Sequence, residues 1–196
     1  MPRTGLTSEE IREKAIIIAQ AQLRKHGFEK LRFSDVAKSI GVSHVALYAH
    51  FKDKSDLLEA VTERWLIEMD AALEAVCTDT GNAIQRIEKW FVTLHRYKVE
   101  KVKNDPELFK AFDSSSEMHK PSVQKHLHNL DTQIMGLLRE AYSGKLLTKH
   151  GPDKARAILN QAMIGFYHPR ILVLHLHEKR DAILKKTLGT LLQGLK

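Results

Sequence analysis

Apolar residues recur every three or four positions along almost the whole of this 196-residue chain, and no stretch sustains the strict alternation of a half-buried strand. Only 10 glycines and 5 prolines punctuate that pattern, so the expected fold class is all-α, with about nine helices. The first opens at "TSEE", where Thr7 can cap and Glu10 can bond back, and it stops at Gly27. A long helix from about residue 53 to Cys77 places Leu58, Val61, Trp65, Met69, Ala72 and Val76 on one stripe. "DTGN" at 79–82 then breaks the pattern and marks a boundary between a small N-terminal domain and a larger helical one. Beyond it, Ile84, Ile87, Phe91, Leu94 and Val102 mark the fifth helix. Asp105 and Pro106 open the sixth, and Pro121 opens a seventh carrying Val123, Leu127, Leu130, Ile134 and Leu138. The last two helices are expected near 153–177 and 180–194, with Pro169 kinking or dividing the former.

The composition excludes several classes. No run approaches the roughly 18 apolar residues of a membrane span, and "MPRTGLTSEE" contains no apolar signal core, so a cytoplasmic protein with no membrane partner is expected. Cys77 is the only cysteine, which rules out a disulfide or a multi-cysteine zinc site within one chain; a buried, inert thiol is expected. The net charge of +7 favours polyanionic partners. It is spread along the chain, however, with 10 Lys+Arg against 8 Asp+Glu in residues 1–60, so an argument for DNA has to rest on a motif.

That motif is "FSDVAKSIGVSHVALYAHF" at 33–51. Two short helices crossing over a tight turn require a small residue at the crossing, a left-handed residue at the turn and a cap on the second helix. Ala37, Gly41 and Ser43 supply these, and Ser34 can cap the first helix. Leu47 and Phe51 fall four apart and would pack on Val36, Ala37 and Ile40. Ser43, His44, Val45, Tyr48 and Ala49 then face outward: hydroxyl and imidazole groups for phosphates or base edges, and a small apolar surface for a thymine methyl. Lys54 can add a phosphate contact at the start of the next helix. The plain alternative is an ordinary helical hairpin, and the joint spacing of these residues favours DNA.

At these residues the chain resembles the TetR family of bacterial transcriptional regulators: "VA", "GVS", "LYAHF" and "KSDLL" follow that family's pattern, and the likeness extends over about residues 8–66. The resemblance implies a homodimeric repressor that binds a double-stranded DNA operator and is released by a small-molecule effector. It implies an N-terminal three-helix helix-turn-helix domain (1–53), a connecting helix (54–78) and a C-terminal helical ligand-binding and dimerisation domain (79–196). Carried over by position, it makes Ser34, Ser43, His44, Val45, Tyr48, His50 and Lys54 the DNA contacts, while "SHVA" at 43–46 is this chain's own version of the variable reading segment.

Candidate residues for an effector cavity are Trp90, Phe91, His95, Phe109, Phe112, Met135, Leu138, Met163, Phe166 and Tyr167; such side chains can line an adaptable pocket, and equally fill a core. The last two helices carry more apolar surface than one monomer layer needs, so homodimerisation through them is expected. Of the 11 histidines, no two on one expected helix stand three or four apart, so no metal site is expected. The chain lacks a phosphate loop, a nucleophile elbow and an H-E-x-x-H helix, so no catalytic residues and no cofactor are expected. A metal-responsive or activating regulator is the alternative, and an all-α enzyme a more distant one.

Overall fold

The structure is a computed structural model that describes residues 5–117 and 119–196. Among the described residues it is all-α: α1 (Ser8–His26), α2 (Phe33–Ile40), α3 (His44–Tyr48), α4 (Lys54–Cys77), α5 (Ala83–Asn104), α6 (Pro106–Glu117), α7 (Pro121–Ser143), α8 (Pro152–Met163), a 3-10 turn (Ile164–Phe166), α9 (Pro169–Leu174) and α10 (Asp181–Gly194). The expected eighth helix is divided at Pro169, which stands at the first position of α9. No described helix is long and apolar enough to cross a membrane.

The chain falls into two compact units. The first comprises the stretch to Leu66 together with Asp105–Gln124. Its core joins Ala15, Ala19 and Leu23 of α1, Val36 and Ala37 of α2, Leu47 of α3, Phe51, Leu57 and Val61, with Leu108 and Ala111 of α6. α6 is held by polar contacts as well. Arg24 makes a two-pronged bond to Asp105 (2.6 and 2.7 Å), and Glu107 accepts from the Phe28 amide (2.6 Å). The Trp65 ring meets Phe112 edge-on at 4.8 Å and Phe109 at 6.2 Å. These packing units cut the chain differently from the division expected at residues 53 and 78: the first boundary falls within α4, and α6 joins the first unit.

The second unit comprises Ile67–Asn104 and Lys125–Lys196. Ile87, Phe91 and Leu94 of α5, Ile134 and Leu138 of α7, Leu159 and Met163 of α8, and Leu184 and Leu188 of α10 are buried. Where the chain breaks before Pro169, side chains take the main-chain carbonyls that a continuing helix would have used. His95 bonds the Phe166 carbonyl (2.7 Å), Lys98 donates to that of Tyr167 (3.2 Å) and Arg180 to that of Gly165 (2.7 Å). α7 differs from its sequence reading in one respect: His126 is buried at 1% exposure while Leu127, expected on the stripe, is 51% exposed. The rest of the stripe holds, with Val123, Leu130, Ile134 and Leu138 buried, and His126 has a carboxylate partner inside the unit.

Candidate nucleic-acid interface

The turn of the helix pair rests on Gly41, at φ 85° and ψ 21°, the left-handed conformation that glycine adopts without steric cost. Its N–H closes α2 by bonding back to Ala37. Ser43 then caps α3, its hydroxyl accepting from the Ala46 amide at 3.0 Å. Leu47 is fully buried on Val36 and Ala37, with Ile40 and Val42 packed beside the same core. A helix of only five residues has no stability of its own. Its direction is set by the core beneath it.

The opposite face of α3 is open. Val45 is 75% exposed and Tyr48 48% exposed, and Ser43, His44 and Ala49 are exposed as well. The His44 ring nitrogens and the Tyr48 hydroxyl make no hydrogen bond among the described residues, so both keep that capacity for a partner. Their rings are nevertheless positioned. Phe33 lies edge-on to His44 (5.7 Å) and tilted against Tyr48 (4.8 Å), and His44 meets Tyr48 at 4.9 Å. Such contacts contribute roughly 0.5–1.5 kcal/mol per pair beyond burial and restrict the rotamers of the outward side chains. Phe33 was missed by sequence reasoning; an aromatic one residue ahead of the expected cap was the available signal.

Among the other positions carried over from the family, His50 and Lys54 have local partners, while Ser34 departs from its expected role. Ser34 does not cap α2. The helix includes Phe33, whose ring is drawn into the core, and the N-cap falls on Arg32, which makes no side-chain cap bond; the Ser34 side chain is left exposed. His50 is half-buried, its Nδ1 3.2 Å from the Ser8 hydroxyl and its carbonyl accepting from Arg12, which also lies over the Phe51 ring. Lys54 donates to the Phe28 carbonyl (3.2 Å) and stands over the Phe28 ring. At the start of α4, Asp53 accepts from the Asp56 amide and Asp56 from the Lys52 amide, so two N–H groups are already satisfied there.

The ten cavity candidates are distributed between the units. Phe109 and Phe112 are buried on Trp65 in the first. Trp90, Phe91, His95, Met135, Leu138, Met163 and Phe166 are buried in the second, with Tyr167 half-buried. Among them, His95 lines an open cleft of about 520 Å³ with Arg96, Leu172, Arg180 and Asp181, where Arg96 pairs with Asp181. Among the described residues no three His, Cys, Asp or Glu side chains gather as metal ligands. Cys77 is half-buried, and desolvation pushes its thiol up to about 11, which keeps it un-ionised near neutrality.

This arrangement, a buried helix pair presenting an open second helix ahead of a separate helical unit, is that of a helix-turn-helix regulator. Residues 18–61 match the model of the bacterial regulatory proteins of the tetR family, and residues 83–186, more than half of the chain, match the Tetracyclin repressor-like C-terminal domain. The chain belongs to the TetR family. It is 33% identical over 61 residues to the HTH-type transcriptional regulator AcrR of Shigella flexneri, a match that spans 31% of this chain and 28% of that protein. In fold it is similar to a TetR/AcrR-family transcriptional regulator from Thermobifida fusca YX-ER1 (TM-score 0.66, 21% identity, 94% of this chain and 98% of that one). It is similar also to the transcriptional regulator FadR of Bacillus subtilis in complex with stearoyl-CoA (TM-score 0.63, 17% identity, 94% and 99%).

Proposed function

We propose that the chain is a homodimeric DNA-binding repressor whose operator is released by a small-molecule effector. The observation that carries this reading is the open face of α3, where His44 and Tyr48 are held by Phe33 with their hydrogen-bonding capacity unspent beside an exposed Val45. His44 and Val45 are assigned to base edges and a thymine methyl, and Tyr48, Ser43 and Ser34 to phosphates. His50 and Lys54 keep their family assignment as backbone contacts, reached from side chains that already brace the turn.

For the dimer, α8 and α10 pack on each other and leave Ile158 and Ile183 exposed, with Ile164 of the 3-10 turn after α8 exposed as well. Two copies of that surface supply a four-helix interface and set the two reading helices about 34–36 Å apart, one turn of DNA. The functional division is residues 1–53 for DNA, 54–78 as connection and 79–196 for effector and dimer. Support for an effector comes from the B. subtilis FadR complex, a small molecule held by a protein of similar fold.

The test is a fluorescence titration of the protein against the DNA flanking its own gene at two salt concentrations. Tight, sequence-dependent binding to a palindromic site, weakening steeply with salt as counterions are released, is the expected result. Weak binding that no sequence distinguishes would leave residues 33–51 as a plain hairpin. Tyr48→Phe is expected to weaken binding a few-fold, and His44→Ala to change preference among operator variants more than overall affinity.

A further inference from the structure

The cleft of about 520 Å³ lies within the second unit, between the end of α5, α9 and the start of α10. Among its lining residues only Val99 and Leu172 are apolar, so its walls suit a hydrophilic guest. Several of the polar side chains are held in place by the protein itself. His95 is 5% exposed, and its Nδ1 lies 2.7 Å from the Phe166 carbonyl. A carbonyl only accepts, so Nδ1 carries the proton, and in the neutral ring Nε2 presents a lone pair. That Nε2 stands 3.8 Å from Oδ1 of Asp181, beyond hydrogen-bonding distance. The other carboxylate oxygen of Asp181 holds Arg96 (2.7 Å). Arg180 is largely buried, its guanidinium 4.5 Å over the Phe166 ring. One of its N–H groups goes to the Gly165 carbonyl (2.7 Å), while Glu178, at 3.9 Å, is too far to take another.

Two further cations line the same cleft and are exposed. Lys103 of α5 and Lys179, two residues ahead of α10, make no hydrogen bond or ion pair among the described residues. Taken together, four cations, Arg96, Lys103, Lys179 and Arg180, stand against three carboxylates, Glu100, Glu178 and Asp181. The excess is positive, and the unspent donors are those of Arg180 and the two lysines. We propose that this cleft binds a small hydroxylated anion, a phosphate or carboxylate that also bears an alcohol group. The anion takes the free N–H groups of Arg180, whose planar fork matches two oxygens at once, and Lys103 and Lys179 add charge beside it. The alcohol donates to Nε2 of His95, which sets such a guest apart from a bare inorganic anion. His95, Arg96 and Arg180 are fixed beforehand by the Phe166 carbonyl, Asp181 and the Gly165 carbonyl, so little ordering accompanies binding. The site needs neither DNA nor a second copy of the chain, and it stands or falls apart from the repressor reading.

The experiment is calorimetric titration of the full-length protein with glucose 6-phosphate and with gluconate. Inorganic phosphate, acetate and glucose serve as guests that each lack one half of the chemistry. The expected result is saturable binding of glucose 6-phosphate or gluconate about tenfold tighter than of the bare anion or of glucose, and the guest that binds tells whether phosphate or carboxylate is held. Lys103→Glu combined with Lys179→Glu should weaken that binding by about tenfold or more. The same change of net charge at Lys125 and Lys154, exposed residues of the same unit away from the cleft, should weaken it by less than roughly threefold. His95→Phe should erase the advantage of the hydroxylated guest while leaving the bare anion's affinity unchanged. Equal losses from the two lysine pairs overturn the location, and bare phosphate or acetate binding as tightly as its hydroxylated counterpart overturns the ligand class. No saturable heat from either hydroxylated guest up to about 10 mM overturns the proposal outright.

Discussion

Around α3, every buried position is apolar and the hydrogen-bonding groups of His44 and Tyr48 face solvent; around α5 and α7, Lys98 and His126 are enclosed, and the exposed residue of the pair 126 and 127 is the leucine. The two regions obey the same rule of helix packing yet put their polar chemistry on opposite sides. A surface for a large, wet partner such as a phosphate backbone can stay in water until it is used. Charged groups enclosed among helices are withdrawn from water, and the unit bears the cost of their desolvation.

The contrast can be broken most forcefully at Asp70. Asp70→Ala removes the carboxylate that faces Lys98 and His126, and it should lower the unfolding free energy by about 3–5 kcal/mol as measured by urea denaturation. A loss under about 1 kcal/mol would show that the enclosed charges are solvated after all. Next comes the pH dependence of the second unit. Burial holds the Lys98 ammonium down to about 8 in the folded protein, against the ordinary lysine value of 10.5 in the unfolded chain. The unfolded state therefore binds more protons between those values, and stability rises with pH there. The gain from about pH 8 to 10 should be roughly 2–3 kcal/mol, at 1.36 kcal/mol per unit. Above about pH 10 the Tyr167 phenol, pushed up to about 12 by burial, acts with the opposite sign. Lys98→Met should flatten the rise. His126 works in the same direction at lower pH: its folded value lies below the unfolded one, so its contribution is complete above the ordinary imidazole range and is lost as pH falls through it.

In the first unit the expected effects are smaller and separate stability from reading. Gly41→Ala places a side chain at φ 85° with open space around it. The cost is backbone strain of about 1–2 kcal/mol, seen as a lower denaturation midpoint. Val45→Ala should leave stability within about 0.5 kcal/mol while changing preference among operator variants. A large stability loss at Val45 would mean that the face called open is in fact packed.

The helix pair was legible because its demands are local: a small residue, a left-handed residue and a cap at fixed spacing identify it, and Ala37, Gly41 and Ser43 stand where expected. Ser34 misled because serine is a good cap in any sequence, whereas the burial of Phe33, a tertiary fact, decided where α2 begins. The cavity candidates show a deeper limit. Periodicity reports which residues are buried, but it cannot separate a wall from a filling, nor assign Phe109 and Phe112 to the first unit and Trp90 and Phe91 to the second. Lys98 did leave a signal. It falls on the stripe of Phe91, Leu94, His95 and Val102, where a helix packing one face inward should carry an apolar residue; His126 stands likewise between Val123 and Leu130.

The membership of α6 in the first unit bears on the order in which the protein can be made. Leu108 and Ala111 close a core whose other members have all left the ribosome some forty residues earlier, and the loop that brings them back must form before that core is complete. The DNA-reading helices are therefore not a module that can be cut off at Leu66. A nascent chain of that length would still lack the wall that α6 provides, with Trp65 left without Phe109 and Phe112. Competence to bind DNA would then arrive late in synthesis, after α5 has emerged.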